Sequence, residues 1–463
     1  MPQNFVRGDV DQGFLLPPDV RDWLPEGELA WTVKDVVESF DLSAFSRSYR
    51  ANGQGAAAFD PAMMVAVLMY AHAVGVRSSR AIERHCVRDV AFRVLAGNQV
   101  PDHATIARFF ARHREPLQGL FAQVLRLCHE AGMVRLGVIA VDGTKIAANA
   151  SWSANHTSTS LAHQVAEEQA RFDALAAELL AEHAATDEAE DVKHGPDRGD
   201  ELPVPLRRRA ERLSRLKEAK QRLDDEQAAA VADQEARKAE WARRKEAGVR
   251  RGAPPGEHPP GRNPDKDKPP RANTTDPDSR TMRGGRGLVQ GYNAQAAVTA
   301  DQVIVGEMIT QDAVDAGLAF DVADTVTDHL DQAGIGQRPD TWTADAGYAN
   351  EEAFVEAENR GVHLLAPMIS DERRAAGEDP AGDKPLTKRP ATARAQAKLR
   401  TRQGRDEYAL RGRTVEPVFG QIKDRQGMRQ FLRRGLDNIT TEWSLACTVH
   451  NLRKIHAYRL ATA

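Results

Sequence analysis

The chain has 463 residues, of which 41% are hydrophobic and 28% charged, and a net charge of −4. This composition indicates two or three folded domains with solvated surfaces. It contains neither an apolar run of membrane-spanning length nor a basic start followed by an apolar segment, so we expect a cytoplasmic protein without a signal peptide. Three scattered cysteines argue against a disulfide framework and a structural zinc site.

Short helical patterns run through residues 60 to 132. Asp60 followed by Pro61 is typical of a helix start, with a capping side chain and a first-turn proline. The last of these helices, in PDHATIARFFARH, carries Arg108 and Arg112 opposite its apolar face. Short helices joined by short turns indicate either a helix-turn-helix-like DNA-binding module or a small helical bundle with a solvated basic face.

The hydrophobic period changes from helix-like to strand-like after Leu136. Apolar, β-branched runs bounded by turn residues predict five strands, in GVIAVDG (137–143), GYNAQAAVT (291–299), QVIVGEMIT (302–310), DTWTADAGY (340–348) and VHLLAPM (362–368). The first of these should end at the Asp-Gly turn. Helical patterns occupy residues 315–330, 408–427 and 441–458. The order of elements predicts a mixed α/β sheet with flanking helices.

A long insertion separates the first strand from the second. Residues 161 to 247 predict two long helices of a coiled-coil type, with leucines at heptad-like spacing at Leu206, Leu213, Leu216 and Leu223. Dimerisation, DNA contact and simple spacing remain open as roles for this segment. Residues 248 to 274 are rich in Pro, Gly and charge, which predicts a flexible linker.

Three acidic residues occupy places where a site is expected. Asp142 and Asp345 each end an apolar strand, and the carboxyl ends of neighbouring strands face one crevice in open α/β sheets. Glu416 lies on a predicted helix whose apolar residues would pack on the sheet. Carboxylates without nearby Cys or His predict a site for two Mg²⁺ or Mn²⁺ ions, which suits phosphoryl transfer.

Basic residues surround these acidic positions in the sequence. Lys145 follows Asp142, and Lys423 lies two helical turns after Glu416, on nearly the same face of the predicted helix. Such charge would neutralise a phosphodiester backbone, and it favours a nucleic-acid substrate over a small neutral one. An ordinary exposed lysine is the alternative at position 423.

Six segments resemble the bacterial insertion-sequence transposases with a DDE catalytic domain. They are PDHATIARF (101–109), VDGTKIAANAS (141–151), TDPDSRTM (275–282), TADAGY (343–348), VEPVFGQIK (415–423) and VHNLRKI (449–455). The matches follow the family order from about residue 60 to the C-terminus and skip only the insertion.

The resemblance implies an RNase H-like catalytic core in which Asp142, Asp345 and Glu416 are the metal ligands. Tyr408, Arg411, Glu416 and Lys423 follow the family's pattern on the helix of the Glu, with one extra residue between Arg411 and Glu416. Because of that extra residue, Arg413 is a second candidate for the phosphate contact.

The resemblance also implies a domain plan and a function. The plan has an extension over 1–59, a helical DNA-binding domain over 60–132, a catalytic domain over 133–160 and 275–463, the helical insertion over 161–247 and the linker over 248–274. The implied function is Mg²⁺-dependent cleavage at the inverted repeats of a mobile element and transfer of the 3′-hydroxyl into target DNA. It requires at least a dimer on DNA, at the nucleoid. The alternatives are a nuclease of the same fold without strand transfer, a catalytically silent DNA-binding regulator, and a coiled-coil scaffold, which would explain only the insertion.

Overall fold

The structure is a computed structural model that describes residues 20–49, 57–194, 204–246, 270–285, 287–368 and 389–462. The predicted break between the two long helices and most of the predicted linker lie outside the described residues. The chain forms two compact units. The first unit comprises Met1–Ile146 and Asn293–Ala463, and the second unit comprises Ala147–Tyr292.

Helices fill the described chain ahead of the first strand. They are α1 (Leu29–Glu38), α2 (Ser43–Ser46), α3 (Pro61–Ala73), α4 (Ser79–Arg88), α5 (Val90–Leu95), α6 (His103–Arg112) and α7 (Arg114–Glu130). The predicted start of α3 is confirmed, because the Asp60 carboxylate accepts a hydrogen bond from the backbone N–H of Met63 and Pro61 is the first helical residue. Helix α1 was not predicted, and its buried Val33 and Val36 pack it against α3.

One mixed sheet lies in the middle of the chain. Its strands are β1 (Val138–Ala147), β4 (Arg280–Gly284), β5 (Gly287–Thr299), β6 (Ile304–Thr310), β7 (Thr341–Thr343) and β8 (His363–Leu365). The order is β4-β5-β1-β7-β8, with β6 also paired to β5. Strands β1, β7 and β8 are parallel, whereas β5 is antiparallel to β4 and β6. The prediction of a mixed α/β sheet is confirmed.

Strand β1 is longer than the sequence predicts. The prediction that it ends at an Asp-Gly turn was wrong, since the strand continues through Gly143 to Ala147. A Cβ at position 143 would lie 2.2 Å from Gln295 Nε2 and 2.9 Å from Asn293 Oδ1. The glycine is therefore needed for close approach of neighbouring side chains within the sheet rather than for a turn.

The remaining helices of the first unit follow the strands. They are α10 (Leu318–Gln332), α11 (Glu351–Asn359), α12 (Pro390–Leu399), α13 (Arg402–Ala409), α14 (Arg411–Arg425) and α15 (Leu436–Thr462). The helix predicted over 408–427 is two helices, which meet at Leu410. Helix α15 packs against α7, β6 and α3, so the C-terminal helix joins the N-terminal helices and the sheet in one core.

Pro417 lies in the interior of α14, beyond the first turn in which a proline is tolerated. A proline at this position cannot donate the hydrogen bond that the carbonyl of Arg413 would accept in a regular helix. The side-chain amide of Gln302 donates to that carbonyl instead, at 3.1 Å. A contact from a distant loop thus compensates the missing helical bond.

The second unit contains the insertion. Its long helices are α8 (Ser158–His194) and α9 (Val204–Glu246), and its short strands β2 (Asn155–Thr157) and β3 (Arg271–Asn273) pair with each other. All four leucines at the heptad-like positions are buried. Leu216 and Leu223 form a small core with Leu161 of α8, and they hold the two helices together. The motif TDPDSRTM supplies the buried Asp276, which accepts a hydrogen bond from the Tyr292 hydroxyl at 3.0 Å.

Glu307 of β6 is a buried carboxyl group beside α15, and Ser444 is its neighbour. Burial raises the pKa of Glu307 from 4.5 to about 7. Because the folded pKa is the higher one, the stability present below the unfolded pKa is lost as pH rises toward the folded pKa. We expect the free energy of unfolding to fall by up to about 3 kcal/mol over this window from this group alone.

Glu307→Gln should remove this contribution. We expect the variant to gain stability over the wild type as pH rises from 5 to 8, measured by urea unfolding across this range (about 2–3 kcal/mol at the upper end). Glu26→Gln, at an exposed position, is the control and should follow the wild type. A difference between Glu307→Gln and wild type that does not change with pH would contradict this prediction.

Candidate active site

Asp142 and Asp345 lie at the same edge of the sheet. Strands β1 and β7 are parallel, with Ala140 opposite Thr343, and each aspartate is two residues beyond its member of that pair. The Asp345 carboxylate accepts a hydrogen bond from the backbone N–H of Gly347 at 2.8 Å and so begins a short helical turn. The sheet register therefore brings together the two acidic residues that the sequence placed at strand ends.

Asp142 is largely buried, with 14% of its side chain exposed. Burial raises the pKa of Asp142 to about 6, Arg411 opposes this effect, and the charge of Asp345 adds to it. One carboxylate oxygen accepts the backbone N–H of Gly143 at 2.8 Å, and the other accepts Arg411 Nη2 at 2.8 Å. The Asp142 carboxylate is thus poorly solvated, and the Arg411 guanidinium is the cation that hydrogen-bonds to it.

Glu416 reaches the site through Arg411. The Glu416 side chain is 61% exposed on α14, and its carboxylate lies 3.6 Å from Arg411 Nη1. The same guanidinium binds Asp142, so Arg411 bridges the first and third members of the predicted triad. Although burial disfavours its charge, the neighbouring carboxylates and Tyr408 raise the pKa of Arg411 above its usual value.

The two lysines predicted to contact DNA are engaged inside the protein. Lys423 donates a hydrogen bond to the Thr144 hydroxyl of β1, and burial lowers the pKa of Lys423. Lys145 is only 12% exposed and donates to the Asp315 carboxylate at 3.0 Å. Both ammonium groups therefore lie beside the edge that carries Asp142.

Asp315 is a fourth acidic residue near this edge, and no motif in the sequence points to it. In addition to Lys145, the same Asp315 oxygen accepts Asn293 Nδ2 at 2.7 Å and Gln295 Nε2 at 2.9 Å. Gln295 in turn accepts the hydroxyl of Tyr348, which follows Asp345. Since Asp315 belongs to no motif and follows no strand directly, only the fold reveals this network.

The other predicted DNA-binding residues are more scattered. Tyr408 is on α13, and Arg413 is exposed on α14. On α6, Arg108 donates to the Thr105 hydroxyl at 3.1 Å. Arg112 donates to the carbonyl of Ser48 and stacks over the Tyr49 ring. No described contact joins Arg108 or Arg112 to the acidic residues of the sheet edge.

The chemistry of the site suits a hard divalent cation at Asp142 and Asp345. Both are oxygen donors at one edge, and a divalent cation bound there would offset the burial that disfavours the charge of Asp142 and raises its pKa. Among the described residues no group of three or more His, Cys, Asp or Glu side chains is assembled as a metal site. The Glu416 carboxylate therefore does not form one cluster with the two aspartates, and the Arg411 guanidinium lies between Glu416 and Asp142.

Two family models match the chain. The first is a transposase domain (DUF772), which matches residues 18–112, and the second is a transposase DDE domain, which matches residues 383–456. Over these two ranges the chain is similar to transposases, and over the second it is similar to their DDE domain. The second match includes Arg411, Glu416 and Lys423 but neither Asp142 nor Asp345. No curated protein and no solved structure matches the chain.

The two matched ranges both lie in the first unit. Helix α3, from the first match, packs against α15, which the second match covers in large part. Among the described helices, none is long and apolar enough to span a membrane.

Proposed function

We propose that the protein is a DNA transposase that cleaves strands at the ends of a mobile element and joins the released 3′-hydroxyl to target DNA. One observation carries the proposal. Asp142 and Asp345 share one sheet edge, and Arg411 connects Asp142 to Glu416 on a helix that lies within the matched DDE domain.

The proposed catalytic core is RNase H-like and spans 133–160 and 275–463. Its support is the mixed sheet, in which antiparallel β5 and β6 lie on one side of β1, and parallel β7 and β8 on the other. The proposed DNA-binding domain over 60–132 and the insertion over 161–247 complete the plan. Because two element ends must be cut, the active form is at least a dimer on DNA.

The proposed metal ligands are Asp142, Asp345 and Glu416. When bound there, two Mg²⁺ or Mn²⁺ ions supply the charge that activates the attacking oxygen and stabilises the leaving one. Glu416, on the surface of α14, must turn toward the aspartates to join them. Arg411 then leaves Asp142 and becomes available to a phosphate of the substrate, where its planar fork suits bidentate binding.

The remaining residues position the DNA strand. Lys423 donates a hydrogen bond to Thr144, which holds its positive charge beside Asp142. The scissile phosphodiester would lie against this charge while water attacks it and a 3′-hydroxyl leaves. In the second step that hydroxyl would attack a phosphodiester of the target DNA at the same place and displace the 3′-hydroxyl of the target strand, so one phosphodiester bond forms as another breaks. Orientation and electrostatics supply most of the rate in such a site.

The test is an assay of cleavage and joining on a labelled duplex that carries the inverted repeats flanking the coding sequence. With Mg²⁺ or Mn²⁺ the wild type should release a 3′-hydroxyl at the repeat end and then form a joined product with a second duplex. Chelation of the metal should abolish both products. Cleavage without joining would favour the nuclease alternative, and DNA binding without either product would favour the silent regulator.

A further inference from the structure

Helix α4 carries a row of arginines on its exposed face. Arg80, Arg84 and Arg88 are all exposed and are spaced by four residues, so they follow one another along the same side of the helix. The buried residues Ile82 and Cys86 lie on the opposite side. The helix is therefore anchored by one face and presents the basic face to solvent.

These arginines have no partners within the described part of the chain, where none of them forms a hydrogen bond, an ion pair or a ring contact. The acidic side chains nearest in sequence are engaged elsewhere. Glu83 accepts hydrogen bonds from both the backbone N–H and the ring of His103. Asp89 accepts the backbone N–H groups that begin α5.

Apart from Arg88 in the last turn, where the helix dipole favours a cation, the row does not stabilise the fold. Like charges four residues apart repel each other, and Arg80 lies in the first turn, where the helix dipole disfavours a cation. Val87, which is 56% exposed, lies between the arginines on the same face and contributes nothing to the core. An unpaired basic face with an exposed apolar side chain is complementary to a polyanion that also offers apolar edges.

We propose that the exposed face of α4, formed by Arg80, Arg84, Val87 and Arg88, binds duplex DNA. The arginines would neutralise phosphates, and Val87 would face the groove. This inference rests on the proposed function for the identity of the polyanion. Ten residues make a helix of about 15 Å, and the major groove, about 12 Å wide, admits an α-helix.

Helix α4 is a better candidate than α6, which the sequence pointed to. Arg112 of α6 is held by the carbonyl of Ser48 and the ring of Tyr49, so its guanidinium would have to give up these contacts to bind a phosphate. The arginines of α4 have no such contacts to give up. Glu83 and His103 join the two helices and fix the orientation of α4.

The experiment compares two triple variants of the full chain. Arg80→Gln/Arg84→Gln/Arg88→Gln removes the basic face, and glutamine preserves helix propensity. The matched control, Arg126→Gln/Arg338→Gln/Arg459→Gln, removes the same charge from exposed arginines that are each paired with an acidic residue. Binding of a fluorescein-labelled duplex of mixed sequence is measured by anisotropy over a range of KCl concentrations, with EDTA present so that no cleavage occurs.

We expect the α4 variant to bind at least about tenfold more weakly near 0.1 M salt, and its slope of log K against log salt to be less steep by about 2 to 3. The control should keep the wild-type slope to within about one. Equal slopes for the two triple variants would overturn the inference. The charge reversal Arg84→Glu is a second variant with a single change, and wild-type binding by this variant would also overturn the inference.

The outcomes separate this inference from the proposed function. If the wild type binds DNA and the α4 triple variant keeps the wild-type salt slope, only the inference about α4 is overturned. Wild-type protein that does not bind DNA overturns both. Loss of cleavage in a variant of the acidic residues leaves the binding measurement, and therefore the inference, unaffected.

Discussion

Asp142→Asn is expected to lower the rate of strand cleavage by on the order of 10³-fold or more, with the fold preserved. Asparagine retains an oxygen that can accept the backbone N–H of Gly143, so the local backbone geometry should survive. It lacks the negative charge that a divalent cation needs. The same reasoning applies to Asp345→Asn, which retains an acceptor for Gly347.

The control for these variants is Asp340→Asn. Asp340 is exposed and immediately precedes β7, whereas Asp345 follows the same strand at its other end. Cleavage rates are measured on the labelled repeat duplex with saturating Mn²⁺, and thermal unfolding is measured in parallel. We expect the control to cleave at the wild-type rate. Undiminished cleavage by both Asp142→Asn and Asp345→Asn would remove the proposed triad from the mechanism.

Arg77→Met is expected to destabilise the first unit by about 3–5 kcal/mol. Arg77 precedes α4 and binds Glu442 of α15 at 2.5 Å, with only 5% and 2% of the two side chains exposed. Arg77 also donates to the carbonyls of Gly427 and Gln430. Without the guanidinium, the Glu442 carboxylate would remain buried with only backbone N–H donors from the loop that precedes α15.

The measurement is chemical denaturation of the full chain, followed by far-ultraviolet circular dichroism. Arg338→Met is the matched control, because Arg338 pairs with Asp331 at the surface and a surface pair contributes at most about 1 kcal/mol. Arg77→Met/Glu442→Leu should recover part of the loss, since no buried charge is then left alone. Equal destabilisation by Arg77→Met and Arg338→Met would contradict the prediction.

The Arg77–Glu442 pair also explains how the two family matches relate to each other. Arg77 lies within the first matched range and Glu442 within the second, 365 residues apart in sequence. Their contact is buried inside the first unit. We therefore expect neither matched range to be as stable alone as it is in the full chain.

Local sequence signals determined where most elements lie. A side-chain cap and a first-turn proline at Asp60 and Pro61 act within a few residues, so the start of α3 could be predicted without the fold. Runs of apolar β-branched residues likewise placed β5, β6, β7 and β8. The position of Asp345 just beyond β7 also followed from the sequence, whereas Asp142 lies inside β1, and the parallel register of the two strands brings both to one edge.

Local signals failed where a distant contact decides the outcome. Gly143 is a turn residue by sequence, yet side chains of β5 and Asp315 make it a strand residue that must lack a Cβ. Pro417 should end or begin a helix, yet Gln302 satisfies the carbonyl that the proline leaves without a donor. In both cases the contacting residues are more than a hundred positions away in the sequence.

The sequence by itself determined the sheet-and-helix order of this protein, the strand that carries Asp142, the strand that ends just before Asp345, and the helix that carries Glu416. Only the tertiary structure decided which basic side chain pairs with which acidic side chain. Arg411 pairs with Asp142 across 269 residues, and Lys145 with Asp315 across 170. The physical reason is the sequence distance over which each effect acts. Helix caps and hydrophobic periodicity act over a few residues, whereas ion pairs and buried hydrogen-bond networks depend on how whole helices and strands pack.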